Sequence, residues 1–316
     1  MEHDDWNDRF PHHEKGAYPG FFLRRLVFVR LRQMRFLLCY ILIVLGGCTA
    51  KYGSRGAPHV AFLAQKHDFI LTTFNTAQYD LFGAIKVRDP RRLHVYIEGD
   101  GVAWIFRTRI ASDPTPKPVT GFALAAADQS GASVVYLARP GHFIQDGKTT
   151  RHEWTYQRYS LRVMATYHAI LEQLSQQFPH ADLSLLGYSG GGAIALMMAG
   201  QHDKIPGTLT LKRVVTFAGM LDHHAWSAAL KLTPLTLALN PPDFAASLSC
   251  IPQIHFVGEK DAIVPLSVTQ SYMRSLQREN QATVITVPEQ NHWDNWDAFW
   301  GAYQKMHQDT LFMLAR

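Results

Sequence analysis

Short apolar runs alternate with stretches of helical period along the chain after residue 60. Runs rich in Val, Ile, Leu and aromatic residues that are too short for helices predict buried strands. These runs lie at 69–74, 79–87, 93–97, 133–137, 182–186, 213–217, 253–257 and 283–287. Helical patterns lie between them, at 121–129, 160–177, 191–201, 267–278 and 294–307. The alternation predicts βαβ crossovers and one largely parallel sheet, in which the first two runs form an antiparallel pair.

Three irregular excursions break this rhythm, and each follows a predicted strand. They cover residues 102–120, 138–159 and 219–250, and all three contain proline. In an open parallel sheet, the loops at the carboxyl ends of the strands form the ligand crevice. We therefore expect the three excursions to lie at the same edge of the sheet, around a site.

A short apolar segment near the N-terminus, residues 36–45, follows Arg35 and precedes Gly46-Gly47-Cys48. A basic region, a short apolar run and small residues before a cleavage point are typical of a secretory signal peptide. The run is shorter than the roughly 20 residues of a membrane span. The alternative is an uncleaved amphipathic anchor over residues 21–45. The predicted organisation is an extension or over-long start at 1–33, a signal peptide at 34–47, a tether at 48–60 and one folded domain at 61–316.

Residues 45–48, Leu-Gly-Gly-Cys, resemble the lipobox of bacterial lipoproteins. The resemblance implies that Cys48 carries a diacylglycerol thioether and becomes an acylated N-terminus. The two or three acyl chains would give stable membrane anchoring. The resemblance also implies that the protein is located in the cell envelope. Thr49 stands where an Asp often marks inner-membrane retention, which favours the periplasmic side of the outer membrane. Cys250 would then be the only thiol of the mature chain, and we expect it to be a small buried side chain rather than a nucleophile.

Composition and charge exclude several classes of protein. With 47% hydrophobic and 18% charged residues, the chain is not disordered, and with three cysteines it is not a disulfide-rich miniprotein. The formal net charge is +5, but five arginines lie between positions 24 and 35, in the segment expected to be removed. A nucleic-acid partner is therefore not indicated. No metal-binding or Walker-type phosphate motif stands out, so the expected chemistry uses no cofactor.

The motif Gly187-Tyr188-Ser189-Gly190-Gly191 lies between a predicted strand and a predicted helix. A G-x-S-x-G sequence in a strand–turn–helix context is typical of a nucleophile elbow. Glycine is needed on both sides of the serine because side chains there would collide with the adjoining strand and helix. The alternative is a glycine-rich turn that only packs a helix on a sheet.

Residues 67–310 resemble the α/β-hydrolase superfamily, and three further segments carry the resemblance. Residues 98–101, Glu-Gly-Asp-Gly, resemble the oxyanion loop after the third strand of that fold. Asp261 follows a predicted strand, as the acid of the triad does, and His292 follows the last strand, where the base belongs. The order Ser, Asp, His is that of the family. The resemblance implies an α/β-hydrolase fold with a mostly parallel central sheet of about eight strands, flanking helices and a modest lid after the sixth strand.

The resemblance also assigns roles. Ser189 is the nucleophile, His292 the base, and Asp261 the group that orients the imidazole. The N–H of Gly190, with that of Asp100 or Gly101, forms the oxyanion hole. Many members carry His where this chain has Glu98, which leaves the exact donor open.

Other residues compete for these roles or surround them. Asp222 is a second candidate acid, after the sixth strand, whereas His223 and His224 come too early in the chain to be the base and are expected to be structural. Arg139 and Arg158 are expected to form ion pairs, and the alternative is that they bind a substrate carboxylate or phosphate. The candidate substrate-pocket residues are Trp104, Tyr188 and Trp226.

The sequence therefore predicts a serine hydrolase that cleaves a carboxylic ester, from a small molecule or a lipid, through an acyl-enzyme. The same triad serves amidases and acyltransferases, so the fold alone does not choose among these reactions. The alternative hypothesis is a protein without catalytic activity, an envelope lipoprotein on a hydrolase scaffold. Nothing in the sequence indicates an oligomeric state.

Overall fold

The computed structural model describes residues 57–106, 108–235, 237–277 and 280–307. The predicted extension, the signal peptide and Cys48 lie outside the described residues. Helix α1 (Ala57–Lys66) begins inside the range predicted to be the tether, and its Val60 is fully buried. The folded domain therefore includes residues 57–60 as well.

Ten strands occur in the described part of the chain, and eight of them form the central sheet. In chain order they are β1 Ile70–Phe74, β2 Leu81–Lys86, β3 Asp89–Ile97, β4 Trp104–Ile105, β5 Arg109–Ile110, β6 Ala132–Leu137, β7 Asp182–Tyr188, β8 Thr210–Phe217, β9 Gln253–Gly258 and β10 Ala282–Val287. The spatial order is β1-β2-β6-β3-β7-β8-β9-β10, and β4 pairs only with β5. Strand β2 is antiparallel to both of its neighbours, and every other pair in the central sheet is parallel. The predicted mostly parallel sheet is confirmed.

Helices cover both faces of this sheet. They are α2 Thr120–Ala126, α3 Leu161–Gln177, α4 Gly190–Gly200, α5 His223–Leu230, α6 Ala245–Leu248, α7 Leu266–Ser275 and α8 Trp296–Met306. One core holds side chains of α3, α4 and α7, and the other holds side chains of α1, α2 and α8. Because both faces are covered, the interior strand β6 is buried along its whole length, whereas the edge strand β10 buries only Val287. No helix in the described ranges has both the length and the apolar composition needed to cross a bilayer.

The parallel register places the site-forming loops at one edge of the sheet. Ile97 of β3 lies beside Gly187 of β7, and Gly258 of β9 lies beside Val287 of β10. The residues that follow these positions include the 98–101 loop and Ser189, so they meet at the carboxyl ends of the strands. The three excursions start at the same edge, as the sequence predicted.

Two of the excursions contain regular structure that the sequence did not predict. Residues 102–120 include the β4–β5 hairpin, and residues 219–250 include α5 and α6. The expectation that Cys250 is buried was wrong, because its side chain is exposed in the turn before β9. The buried position in that turn belongs to Ser249, whose hydroxyl donates to the Ala245 carbonyl.

Candidate active site

Ser189 occupies a strained turn between β7 and α4. Its φ of 50° and ψ of −120° lie where residues other than glycine are rare. Its N–H donates to the Phe217 carbonyl on β8 at 2.9 Å, which fixes the turn to the sheet. A Cβ at position 187 would lie 2.3 Å from the Gly191 carbonyl oxygen, and one at 191 would lie 2.2 Å from the Ile97 carbonyl oxygen. Glycine at these two positions thus has the steric role that the sequence predicted.

Three side chains form a hydrogen-bonded line at this turn. The Oγ of Ser189 lies 3.1 Å from Nε2 of His292, and Nδ1 of His292 lies 2.7 Å from Oδ2 of Asp261. With its proton on Nδ1, the imidazole donates to the carboxylate and accepts the serine O–H. The three residues come from the loops that follow β7, β9 and β10, in the arrangement that the sequence predicted.

The two candidate acids have different partners. Besides His292, Asp261 accepts the N–H groups of residues 263–264 through Oδ1, at 2.9 and 2.8 Å. Asp222 instead caps the first turn of α5, and its Oδ2 accepts the Ser271 hydroxyl at 2.8 Å. The structure therefore brings Asp261, and not Asp222, to the imidazole.

Two further histidines lie on α5, in the lid formed by residues 219–250. His223 is buried, with Nε2 3.1 Å from the Leu239 carbonyl oxygen, and its ring stacks on Tyr159. His224 is exposed and follows it on the helix. Neither forms part of the hydrogen-bonded line, in agreement with the structural role expected for them.

The main chain of His292 is held by two buried side chains. Its carbonyl accepts the Tyr188 hydroxyl at 2.8 Å and the indole N–H of Trp296 at 3.0 Å. Burial raises the pKa of Tyr188, so its phenol stays protonated as a donor. Tyr188, which the sequence placed in the substrate pocket, lines the cavity and also positions the imidazole.

Glu98 anchors the start of the 98–101 loop. Its Oε1 accepts the N–H groups of Gly99 and Gly121, at 2.9 and 3.0 Å, and its Oε2 accepts the Tyr136 hydroxyl at 3.0 Å. Burial raises the pKa of Glu98, although these hydrogen bonds oppose the shift. Gly121 lies in the first turn of α2, so the carboxyl group occupies the positive end of that helix. The sequence did not reveal this anchoring role.

The side chain of Asp100 is the centre of a buried polar group that we call the Asp100 cluster, formed by Asp100, Arg139, Arg158 and Tyr159. Oδ1 accepts Nη1 of Arg139 at 2.7 Å, and Oδ2 accepts Nη1 of Arg158 at 2.9 Å and the Tyr159 hydroxyl at 2.8 Å. Burial acts to raise the pKa of Asp100, but the Arg158 and Arg139 guanidiniums outweigh it and lower the pKa to about 2. Both arginines form the ion pairs that the sequence led us to expect.

The Asp100 cluster lies directly against the elbow. A Cβ at Gly190 would lie 2.1 Å from Oδ1 of Asp100, so the carboxylate packs on the backbone of the residue after the serine. Within the described residues, no hydrogen bond uses the N–H groups of Asp100, Gly101 or Gly190. Because Gly99 donates to Glu98, the main-chain donors left in the loop are those of Asp100 and Gly101.

A cavity of about 180 Å³ contains this arrangement. Its lining includes Asp100, Gly101, Ser189, His292 and Trp226. Trp104, which the sequence placed in the same pocket, lines a neighbouring cavity instead, because the β4–β5 hairpin carries it away from the serine. In the described part of the chain, no three His, Cys, Asp or Glu side chains lie close enough to hold a metal ion.

A family model described as serine hydrolase (FSH1) matches residues 124–293, more than half of the chain. The chain belongs to the FSH1 serine hydrolase family. The matched segment contains Ser189, Asp261 and His292, whereas the 98–101 loop precedes it. No curated protein matches the chain significantly.

Solved structures with the same fold include esterases and a serine hydrolase homologue. Est1E from Butyrivibrio proteoclasticus matches with a TM-score of 0.55 and 14% identity, over 78% of this chain and 99% of that one. The Pyrococcus furiosus esterase Pf2001 matches with a TM-score of 0.52 and 13% identity, over 77% of this chain and 92% of that one. An α/β serine hydrolase homologue from Coxiella burnetii matches with a TM-score of 0.51 and 13% identity, over 75% and 94% of the two chains. At these identities the likeness establishes the fold.

Proposed function

We propose that this serine hydrolase cleaves a carboxylic ester through a Ser189–His292–Asp261 triad and a covalent acyl-enzyme. The observation that carries the proposal is the unbroken line of hydrogen bonds from Ser189 Oγ through the imidazole to Asp261. A serine hydroxyl is a weak nucleophile and needs a base within hydrogen-bond reach, which His292 supplies. The esterases among the fold relatives favour an ester over an amide as the substrate.

In the first half of the reaction, Ser189 Oγ attacks the ester carbonyl while its proton passes to Nε2 of His292. Asp261 holds the imidazole in the required tautomer and stabilises the imidazolium. The tetrahedral intermediate then collapses, the C–O bond to the alcohol breaks, and the alcohol leaves with the proton from Nε2. In the second half, water gives a proton to His292 and attacks the acyl-enzyme, and the acid product leaves as Ser189 regains its proton.

The oxyanion of the intermediate is held, in this proposal, by the N–H of Gly190 together with that of Asp100 or Gly101. These donors are free of other partners within the described residues and lie beside Ser189. Loss of one such donor typically raises the barrier by about 3 kcal/mol. The Asp100 cluster contains two guanidiniums and one carboxylate, so it adds one net positive charge where negative charge develops.

A fluorophosphonate probe and a panel of 4-nitrophenyl esters of increasing chain length test the proposal. We expect the wild-type protein to be labelled and to cleave at least one ester, and Ser189→Ala to abolish labelling and lower turnover by about a million-fold. The matched control is Ser160→Ala, which removes the cap of α3 and costs about 1 kcal/mol of stability, but should leave labelling intact.

Two outcomes would contradict the proposal in different ways. Folded wild-type protein that is not labelled would support the non-catalytic scaffold. Labelling of Ser189 without cleavage of any ester would favour amidase or acyltransferase chemistry at the same triad.

We also propose that the chain is cut before Cys48 and anchored there by lipid, on the periplasmic side of the outer membrane. The support is the basic, apolar and small-residue pattern of residues 32–48. Intact-mass measurement of membrane-extracted protein should give a chain that starts at a lipid-modified Cys48. Unmodified Cys48 with residues 1–47 retained would overturn this proposal and favour an uncleaved anchor over residues 21–45.

A further inference from the structure

A second cavity, of about 550 Å³, opens beside the one that contains Ser189. We call it the outer groove. Its apolar lining consists of Trp104, Phe106, Tyr156, Trp226, Leu232 and Leu235. Trp226 and Arg158 line both cavities, so the outer groove adjoins the space in front of the serine.

The aromatic walls of the outer groove are held in place by all three excursions. Trp104 lies on the β4–β5 hairpin, and its ring meets that of Tyr156 edge-on, with centroids 5.8 Å apart. The indole N–H of Trp226 donates to the Ile263 carbonyl at 2.8 Å. Phe106 nevertheless keeps 81% of its surface exposed. A preformed apolar surface left open to water next to a reactive serine is typical of a ligand site.

The charges of the outer groove have one sign. Its lining contains Arg158 and Lys231 but no acidic residue. Arg158 is 7% exposed and donates to the Thr155 carbonyl through Nε and to Asp100 through Nη1. Within the described residues, the hydrogen bonds of the Arg158 side chain use Nε and Nη1 and leave Nη2 without a partner. Lys231 is exposed and forms no ion pair with any described residue. Arg158 is already paired with Asp100, but its remaining Nη2 and the Nζ of Lys231 are cationic donors on a lining that holds no acidic residue. Such donors attract an anion.

We propose that the outer groove binds an apolar or aromatic arm of the ester substrate, and that this arm carries an anionic group. The rings and leucines would cover the apolar part, while Arg158 and Lys231 would pair with the anion. Because the two cavities meet at Arg158 and Trp226, the arm reaches from the groove to the carbonyl in front of Ser189. This inference deepens the proposed function and rests on it for the reaction, but the binding step does not depend on catalysis.

Binding can be measured with two fluorescent probes that differ by one anionic group. One is 8-anilinonaphthalene-1-sulfonate, and the other is the neutral N-phenyl-1-naphthylamine. We expect Lys231→Gln to raise the Kd of the sulfonate about fivefold, as for a partly exposed ion pair, and to leave that of the neutral probe unchanged. Trp104→Ala should weaken both. Lys305→Gln, an equal charge change on the distant helix α8, should alter neither.

The same probes separate this inference from the proposed function. Ser189→Ala should bind the sulfonate as the wild type does, although it turns over no ester. In wild-type protein the sulfonate should raise the KM for 4-nitrophenyl butyrate without lowering kcat, because it occupies the path of the substrate. The inference is overturned if Lys231→Gln affects both probes equally or neither, or if inhibition is not competitive. If the sulfonate binds competitively but Ser189→Ala still turns over ester as fast as the wild type, the proposed triad is overturned and the proposed binding site is retained.

Discussion

At the scale of single residues, the carboxylate of Asp100 decides whether two buried guanidiniums are tolerated beside the elbow. The side chains of Arg139 and Arg158 are 4% and 9% exposed, so neither can be hydrated well enough to stand alone. Removing one partner of a buried ion pair typically costs about 3–5 kcal/mol, because an uncompensated charge stays behind. Asp100 therefore has a structural importance that is separate from its main-chain donor.

The chain offers a matched test in Asp89, which also pairs with two arginines and whose pKa is also lowered to about 2, mainly by hydrogen bonds from Arg91. The ion pairs of Asp89 with these arginines lie at the surface, where an ion pair contributes about 1 kcal/mol or less. We expect Asp100→Asn to lower the free energy of unfolding by about 3 kcal/mol and Asp89→Asn by less than about 1 kcal/mol. Urea denaturation at pH 7 measures both. Equal losses would mean that the Asp100 cluster is not a buried electrostatic unit.

The sequence could identify some residues of the site and not others. Ser189 carries a motif with steric requirements, and Asp261 and His292 each follow an apolar run, so chain order was enough to place them. The side-chain roles of Glu98 and Asp100 depend on partners 23 to 59 residues away. Such pairing follows from the packing of loops, for which a single sequence contains no periodic signal.

At the scale of secondary-structure elements, the acid of the proposed triad follows β9, and the competing acid Asp222 follows β8. Asp222 uses both carboxylate oxygens to fix α5 to its surroundings, since it caps that helix and accepts from Asn240 and Ser271. Its place in the chain made it a candidate, but its contacts make it a link between α5 and α7.

The same substitution at both positions separates these roles. We expect Asp261→Asn to lower kcat for ester hydrolysis by about 10⁴, because the imidazole loses the partner that fixes its tautomer. Asp222→Asn should change kcat little, and should cost no more than about 1 kcal/mol of stability, because Asn is also a good N-cap. Steady-state kinetics and urea denaturation check the pair. Loss of turnover in Asp222→Asn comparable with that in Asp261→Asn would return the acid to the loop after β8.

The accuracy of the predicted elements follows from burial. Strand β6 is apolar at nearly every position and was predicted within one residue, because a strand covered on both faces needs no alternation. The β4–β5 hairpin has two residues in each strand, too few for any periodicity. Helix α5 starts with two histidines and spans only eight residues, which gives a weak helical signal.

At the scale of the whole molecule, acid stability should reflect buried histidines. His142 packs against the 98–101 loop and His255 lies on strand β9, and both are buried. Burial lowers the pKa of each to about 3, and for His142 the Arg139 charge adds to the effect. Histidine in an unfolded chain has a pKa near about 6.5, so between these values the unfolded state binds more protons than the folded state. Stability is then lost as the pH falls below about 6.5.

Glu98 acts in the opposite direction, because its raised pKa lets the folded state bind a proton that the unfolded state releases. Asp100 adds a loss only below about pH 4, as the pH falls from the unfolded carboxyl pKa toward its folded value of about 2. Comparing a histidine variant with wild-type protein cancels both contributions. Between pH 6 and pH 4.5, each buried histidine should contribute about 1.4 kcal/mol per pH unit to the slope of the unfolding free energy.

We therefore expect the slope for His255→Gln to be shallower than that of wild type by about one proton, and the slope for the double variant with His142→Asn by about two protons. Urea denaturation at several pH values gives these slopes, and they are independent of how much each substitution destabilises the protein at neutral pH. An unchanged slope in both variants would mean that the imidazoles are protonated in the folded state. A positive charge at His142 would then lie beside Arg139, and the Asp100 cluster could not hold its geometry through one carboxylate.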